Sequence, residues 1–146
     1  MSRQRRKGRT RKTAAGKSRA GSRRTLSRAI VQAIDDIGYL RIRAGARSDH
    51  RFIAVWPIVV GGRVFARSWT LKPDGWYHTF LVDPIGVIQV GERQVKVRAR
   101  PVRSKKISDA IERGYAKKYR TPGSIKYVRG FKTERRRTAT IEFLPR

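Results

Sequence analysis

The stretch RFIAVWPIVVGGRVFARSW, residues 51–69, decides the fold. A long apolar run contains Pro57 and ends at Gly61-Gly62, and apolar residues resume at Val64. Paired glycines between two apolar runs are typical of a β-hairpin turn, and a proline inside a run favours an edge strand or a bulge. The stretch therefore predicts two antiparallel strands. In the second of them Val64 and Ala66 share one face, and Phe65 lies on the other.

Further short strands are expected on both sides of this hairpin. YLRIR (39–43) alternates, with Tyr39 or Leu40 and Ile42 as its core residues. The segments that follow predict a polar loop at GARSDH (45–50), turns at KPDG (72–75) and DPIG (83–86), a strand at WYHTFLV (76–82) and a second hairpin at VIQVGERQVKVRARPV (87–102). Short strands joined by tight turns indicate an antiparallel barrel or sandwich.

Helices are predicted near both ends of this strand region. Apolar residues recur at helical spacing over 26–37, with Thr25 as the expected N-cap and Gly38 as the end. Ser104 is expected to cap a second helix over 105–119, TPGS (121–124) is read as a break, and TATIEFLP (138–145) is read as the last strand, with Ile141 and Phe143 on one face. The predicted class is mainly β (α+β), with two peripheral helices.

Charge divides the chain into two parts. The formal net charge is +27, and residues 1–24 hold 11 Lys or Arg and no acid. Because that segment has almost no apolar residues to bury, we expect a disordered basic tail followed by one domain over 25–146. A basic chain attracts nucleic acid, anionic lipid or phosphorylated small molecules.

Composition also excludes several classes of site. The chain has no cysteine, so thiol catalysis and cysteine-bound metals are ruled out. No run approaches the ~18 apolar residues of a membrane span, and we predict a cytoplasmic protein. Phosphate-loop, dinucleotide-binding and serine-hydrolase signatures are absent. His50 and His78 have no evident third ligand, so no metal site is predicted.

Two short clusters remain as candidates for chemistry. Arg67 and Ser68 end a strand, where a guanidinium and a hydroxyl can hold a phosphate; alternatively they are an exposed arginine and a turn serine. Trp76, Tyr77 and His78, close to Trp69, can stack on a flat ring. The alternative is that Trp76 and Phe80 pack into the core while Tyr77 and Thr79 face outward.

The order of these motifs resembles the FMN-binding split-barrel superfamily. VVGGRVFARSW (59–69) is similar to its hairpin, and GWYHTFLVDPIGVIQVGERQVKVRA (75–99) resembles the Trp-Tyr-His segment and following strands of the deazaflavin-dependent nitroreductases. DAIERGYAKKY (109–119) and TATIEFLPR (138–146) are more similar to an uncharacterised bacterial domain family of that superfamily. The resemblance covers residues 26–146 and implies a small antiparallel split β-barrel, usually dimeric.

The resemblance also implies a site and a chemistry. FMN or a deazaflavin coenzyme would be the cofactor, and two-electron redox chemistry its contribution. Arg67 and Ser68 would hold its phosphate, Trp76, Tyr77 and His78 would line the ring side, and Arg47, Ser48 and Arg51 would occupy the place of the nitroreductases' phosphate loop. Two departures matter, because Asp49 and His50 replace a glycine region and Trp76 stands where many FMN-binding members have lysine.

Three functions follow from these observations. The first is a flavin- or deazaflavin-binding oxidoreductase of unknown substrate. The second is a basic nucleic-acid-associated protein, favoured by the tail and by the basic face of the second predicted helix, that makes nonspecific contacts through residues 1–24. The third is a non-catalytic barrel that binds a partner and has no cofactor, since a fold does not by itself fix a function.

Overall fold

A computed structural model describes residues 25–47 and 50–146 of the chain. The predicted basic tail (1–24) and the predicted site residue Ser48 lie outside the described residues. The described part contains five helices and seven strands, in the order α1 Arg28–Asp35, β1 Leu40–Ala44, β2 Ile53–Val55, β3 Pro57–Val60, β4 Arg63–Arg67, α2 Trp76–Val82, β5 Ile85–Val90, β6 Arg93–Pro101, α3 Lys105–Lys118, α4 Pro122–Gly130, α5 Glu134–Arg137 and β7 Thr140–Pro145.

The strands form one antiparallel sheet that closes almost completely into a barrel. Their order is β2-β1-β5-β6-β7-β4-β3, so β2 and β3 are the two edges. Only Trp56 separates these edge strands in the sequence, and the two edges of the sheet must therefore meet there. This meeting of edges is the seam of a split barrel, and it confirms the predicted fold class. Pro57 begins an edge strand, as predicted.

Both predicted hairpins are confirmed. Val60 pairs with Arg63 across Gly61-Gly62, whose φ angles are +59° and +77°. Val90 pairs with Arg93 across the tip at Gly91-Glu92, and Gly91 has a φ of +62°. These left-handed backbone angles favour glycine strongly, because a Cβ would be strained there.

Apolar residues are buried on both faces of the sheet. The larger cluster combines inward-facing residues of six strands with α1 and α2, and it includes Val64, Ala66, Ile141 and Phe143. The smaller cluster packs β3 and β4 against α3 and α4, and it includes Phe65, Ile111 and Tyr115. The predicted facing of Val64 and Ala66 against Phe65 is therefore confirmed, as is the shared face of Ile141 and Phe143.

Three local predictions were wrong. The WYHTFLV segment is helix α2 rather than a strand, and the spacing of four residues between Trp76 and Phe80 places both on one buried face. TPGS does not simply break the chain, because Pro122 opens α4, where a missing N–H costs nothing. The first helix is capped by the Ser27 hydroxyl, which accepts from the Ile30 amide, and not by Thr25.

Candidate functional site

A cavity of about 410 Å³ opens beside the barrel seam. Its walls come from β2, the seam residue, the end of β4, the start of α2 and the helix α4: Ile53, Ala54, Val55, Trp56, Arg67, Trp69, Thr70, Trp76, Tyr127 and Phe131. The volume lies within the range of small-molecule sites, and the walls are mostly aromatic and aliphatic. The cavity can therefore accommodate a flat, largely apolar group.

Aromatic contacts fix most of these walls. Trp56 stacks on Tyr119, with ring centroids 4.3 Å apart and planes within 3°. Trp69 meets Tyr127 edge-on at 4.9 Å and Phe131 at 5.8 Å. Trp69 remains 39% exposed, so its indole can meet a ligand without leaving its neighbours.

The backbone of α4 approaches Trp69 so closely that only glycine fits. A Cβ added at Gly130 would lie 2.4 Å from two atoms of the Trp69 ring. The Arg136 guanidinium covers the ring, 3.8 Å from its centroid, and Arg136 Nε donates to the Trp69 carbonyl at 2.9 Å. The position of Trp69 is therefore set by the α4–α5 segment.

Arg67 reaches the cavity wall with its guanidinium bound inside the protein. Its side chain has no exposed surface. Arg67 Nε donates to Thr140 at 2.8 Å, Nη2 to Ser108 at 2.8 Å, and Nη1 to the carbonyl of Phe131 at 2.9 Å and to Glu112 at 3.1 Å. Burial lowers the pKa of Arg67, and the ion pair with Glu112 opposes that effect. A phosphate could reach this guanidinium only by displacing several of these acceptors.

Ser68 is also buried and bonded within the protein. Its hydroxyl donates to the Thr70 carbonyl at 2.7 Å, and its backbone amide donates to Ala139 at 2.8 Å. The sequence alternative of an exposed arginine beside a turn serine is wrong for both residues, since Arg67 and Ser68 are among the most buried polar residues of the domain. Their predicted phosphate role stays a prediction.

A second cavity, of about 280 Å³, adjoins the first. The two share Ile53, Thr70 and Trp76, and the second is more polar. Its lining includes His50, Arg51, Asp74 and Thr79. Arg51 is exposed there, so its guanidinium is available to an anion, whereas Asp74 disfavours one.

Helix α2 separates the members of the Trp76-Tyr77-His78 cluster. Successive helical residues point about 100° apart, and only Trp76 lines the two cavities. The Tyr77 hydroxyl donates to the Thr138 carbonyl at 2.9 Å, and burial raises the pKa of Tyr77 despite the nearby Arg103. His78 packs edge-on against Tyr77, and its Nδ1 is buried with no hydrogen-bond partner among the described residues.

The core alternative for Trp76 and Phe80 is confirmed, because both lie in the larger apolar cluster. Trp76 nevertheless presents part of its surface to the cavities. Arg47 is exposed on the loop after β1 and lines neither of them. The structure thus brings Arg51, Arg67 and Trp76 around one pair of cavities and leaves Arg47, Tyr77 and His78 outside their walls.

Sequence reasoning missed three cavity residues. Trp56 was read only as part of an apolar strand, and Tyr127 and Phe131 lie on a helix that was not predicted. The spacing of Ser124, Val128 and Phe131 is helical and could have indicated α4. The acceptors around Arg67 carry no local signal, since they come from residues more than 40 positions away.

Two kinds of feature are absent from the described residues. Within residues 25–47 and 50–146 no helix combines the length and the apolar character needed to cross a membrane. Over the same part of the chain, no three histidine or acidic side chains come together in a way that could hold a metal ion.

Comparison with solved structures supports the split-barrel fold. The conserved hypothetical protein Rv2991 from Mycobacterium tuberculosis matches with a TM-score of 0.51 and 12% identity, over 84% of this chain and 81% of its own. A Listeria innocua protein assigned provisionally to the pyridoxamine 5′-phosphate oxidases matches with a TM-score of 0.52 and 9% identity, over 79% and 87%. At these identities the likeness concerns the fold alone.

A third solved structure has the same fold. An F420-H2 dependent reductase, FDR-A, matches with a TM-score of 0.52 and 14% identity, over 73% of this chain and 92% of its own. The predicted resemblance to FMN-binding split barrels and deazaflavin-dependent proteins is therefore confirmed at the level of the fold. No curated protein matches the sequence.

A family model matches residues 30–143, from the first helix to the last strand. It describes DUF2255, an uncharacterised protein conserved in bacteria. The predicted relation to an uncharacterised bacterial domain family is confirmed by this match. The chain belongs to the DUF2255 family and has the fold of the FMN-binding split barrels.

Proposed function

We propose that this protein binds a flavin-type cofactor, FMN or a deazaflavin, in the aromatic cavity and acts as an oxidoreductase. The observation that carries the proposal is the convergence of Trp56, Trp69 and Trp76, from three separate segments, on one cavity of about 410 Å³. Indole faces and edges suit a flat heteroaromatic ring. Two proteins of the same fold support the choice of an oxidoreductase: one is an F420-H2 dependent reductase, and the other is provisionally assigned as a pyridoxamine 5′-phosphate oxidase.

The lining fits the ring of such a cofactor better than its phosphate. Among the predicted phosphate ligands, Arg51 is exposed in the adjoining cavity, and we propose that it binds the phosphate there. Asp74 limits how closely an anion can approach. Arg67 would support the wall, because its hydrogen bonds join β4 to α3 and to the end of α4, while Ser68 holds the turn through Thr70.

The protein's part in such a reaction is to bind, orient and exclude water. A bound flavin or deazaflavin would supply hydride chemistry. Trp69 and Trp76 would fix the plane of the ring, and the apolar strand β2 would close the cavity on one side. A homodimer, a cytoplasmic location and a nonspecific nucleic-acid contact through residues 1–24 stay parts of this proposal that need their own tests.

An absorbance spectrum and two titrations test the proposal. Protein as isolated should absorb in the visible range, or tryptophan fluorescence should be quenched on adding FMN or the deazaflavin F420. Trp69→Leu should weaken binding most. Arg51→Gln should weaken it about tenfold, equal to about 1.4 kcal/mol, because a charge-assisted contact to phosphate is lost.

Arg98→Gln is the matched control, since Arg98 is an exposed arginine on β6 that lines neither cavity. It should leave both affinities unchanged. A colourless protein whose fluorescence responds to neither compound would reject the proposal and favour the non-catalytic barrel. Equal losses in Arg51→Gln and Arg98→Gln would reject the placement of the phosphate.

A further inference from the structure

The region from the end of α3 to the start of α5 is rich in positive charge and contains no acid of its own. Residues 113–133 contain seven Lys or Arg and no acid. Six of the seven are exposed: Arg113, Lys117, Arg120, Lys126, Arg129 and Lys132. None of the six forms an ion pair with any acid in residues 25–47 and 50–146. This surface therefore attracts an external anion.

The two acids of α3 are paired elsewhere, and Asp35 and Asp36 at the end of α1 act on Lys118. Asp109 of α3 binds Lys105 and Arg137, and Glu112 binds Arg67 and Arg137. Arg113 and Lys117 are four residues apart and lie along one outward face of α3, and Arg120 follows just beyond the helix end, after its C-cap Tyr119. The carboxylates of this helix consequently do not neutralise its outer face.

A groove of about 390 Å³ runs between α3 and α4 within this surface. Ala116, Tyr119, Ile125 and Val128 give it an apolar floor, and Arg120 and Arg129 stand at its sides. Ile125 is 41% exposed. Proteins that bind a single strand combine a positively charged groove with side chains on which unpaired bases pack, most often aromatic ones. Here the exposed part of the floor is aliphatic, at Ala116 and Ile125.

We propose that the α3–α4 groove binds single-stranded nucleic acid through Arg120 and Arg129. A duplex keeps its bases stacked inside and would use only the charges, whereas a single strand can also use the floor of the groove. The surface is distinct from the cavities at the seam, whose linings contain neither arginine. The proposal does not depend on cofactor binding. It assigns a nucleic-acid contact to the folded domain, in addition to any contact made by residues 1–24.

The test measures how affinity depends on salt in the full chain. A labelled oligothymidylate of about 20 nucleotides is titrated at several salt concentrations between about 50 and 200 mM. Wild type is compared with Arg120→Gln/Arg129→Gln. Loss of two phosphate contacts should reduce the slope of log K against log salt by about 1.4 for a single strand, since residues 1–24 contribute equally in both proteins.

Arg93→Gln/Arg98→Gln is the matched control. Both residues are exposed arginines on β6, neither lines the groove, and the change in net charge is the same. This control should keep the wild-type slope. Equal slope changes in the two double variants would overturn the proposal, because they would show a response to net charge alone.

Two further measurements test whether a duplex or an acidic protein binds this groove instead. A duplex of the same length should bind less tightly than the single strand, and tighter duplex binding would overturn the choice of a single strand. Polyglutamate should compete poorly, and competition equal to that of the oligonucleotide would point to an acidic protein partner instead. FMN and F420 titrations of Arg120→Gln/Arg129→Gln should match wild type, so a failure of this proposal is distinguishable from a failure of the proposed cofactor site.

Discussion

Arginines on the inner and outer sides of helix α3 have different roles. On the inner side, Arg67 and Arg137 meet Glu112, with Asp109 next to them, in a closed network between the barrel and the helices. On the outer side, Arg113, and Arg120 just beyond the helix end, meet no acid within the described chain. The difference lies in the partners, because the same guanidinium becomes structural where carboxylates and carbonyls surround it and remains free for a ligand where they do not.

The largest effect is expected from a substitution that breaks the network of hydrogen bonds and ion pairs on the inner side of α3. Arg67→Ala removes the donor from Ser108, Thr140 and the Phe131 carbonyl and one partner from Glu112. We expect a loss of about 3–5 kcal/mol in the free energy of unfolding, because buried acceptors are left unsatisfied. Urea denaturation measures it. Arg113→Ala on the outer side is the control and should change stability by no more than about 0.5 kcal/mol. Similar losses in both variants would abolish the distinction between the two sides.

The second largest effect is expected where α4 packs against Trp69 in the wall of the cavity. Gly130→Ala places a methyl group where the Trp69 ring lies, so either the indole or α4 must move. We expect a loss of about 1–3 kcal/mol and a shift in tryptophan emission. Gly123→Ala, in the same helix with nothing within 4 Å of the added Cβ, should not destabilise the protein. An unchanged emission spectrum in Gly130→Ala would contradict the packing of Trp69 against α4.

The smallest expected effect is a pH dependence of the free energy of unfolding, caused by the buried carboxylate of Glu142. Burial raises the pKa of Glu142, but hydrogen bonds from Arg63 and Arg100 outweigh it and leave the pKa below the usual 4.5. In this pH range the unfolded chain binds a proton that the folded one does not, so this contribution is present above pH 4.5 and lost as pH falls through the folded pKa.

Urea midpoints at neutral and acidic pH measure the contribution of Glu142. Glu142→Gln should be less stable than wild type at pH 7, and its stability should fall less on acidification. Glu92→Gln at the exposed hairpin tip should retain the wild-type pH dependence. If Glu142→Gln lost as much stability on acidification as wild type, the ion pairs of Glu142 would not be the cause.

Local chemistry made much of the fold predictable. Gly61-Gly62 and Gly91 adopt left-handed backbone angles that favour glycine, and Pro57 is tolerated at an edge strand. Val64 and Ala66 pack on one buried face of their strand, and Phe65 packs on the other. Each of these requirements acts within a few residues, so each can be read along the chain. WYHTFLV misled because its apolar residues fit both a strand and a helix, and the contact of α2 with the barrel interior decided for the helix.

The sequence by itself determined an antiparallel barrel or sandwich, its hairpins, its strong basic charge and the exclusion of cysteine chemistry, because these follow from composition and short-range backbone preferences, and the resemblance to a known superfamily added the split-barrel form. Only the tertiary structure decided which side chains meet. It joined Trp56, Trp69 and Trp76 in one cavity and enclosed the Arg67 guanidinium. The physical reason is that burial and pairing depend on contacts between segments far apart in the sequence, such as Arg67 and Thr140, and no local pattern encodes them.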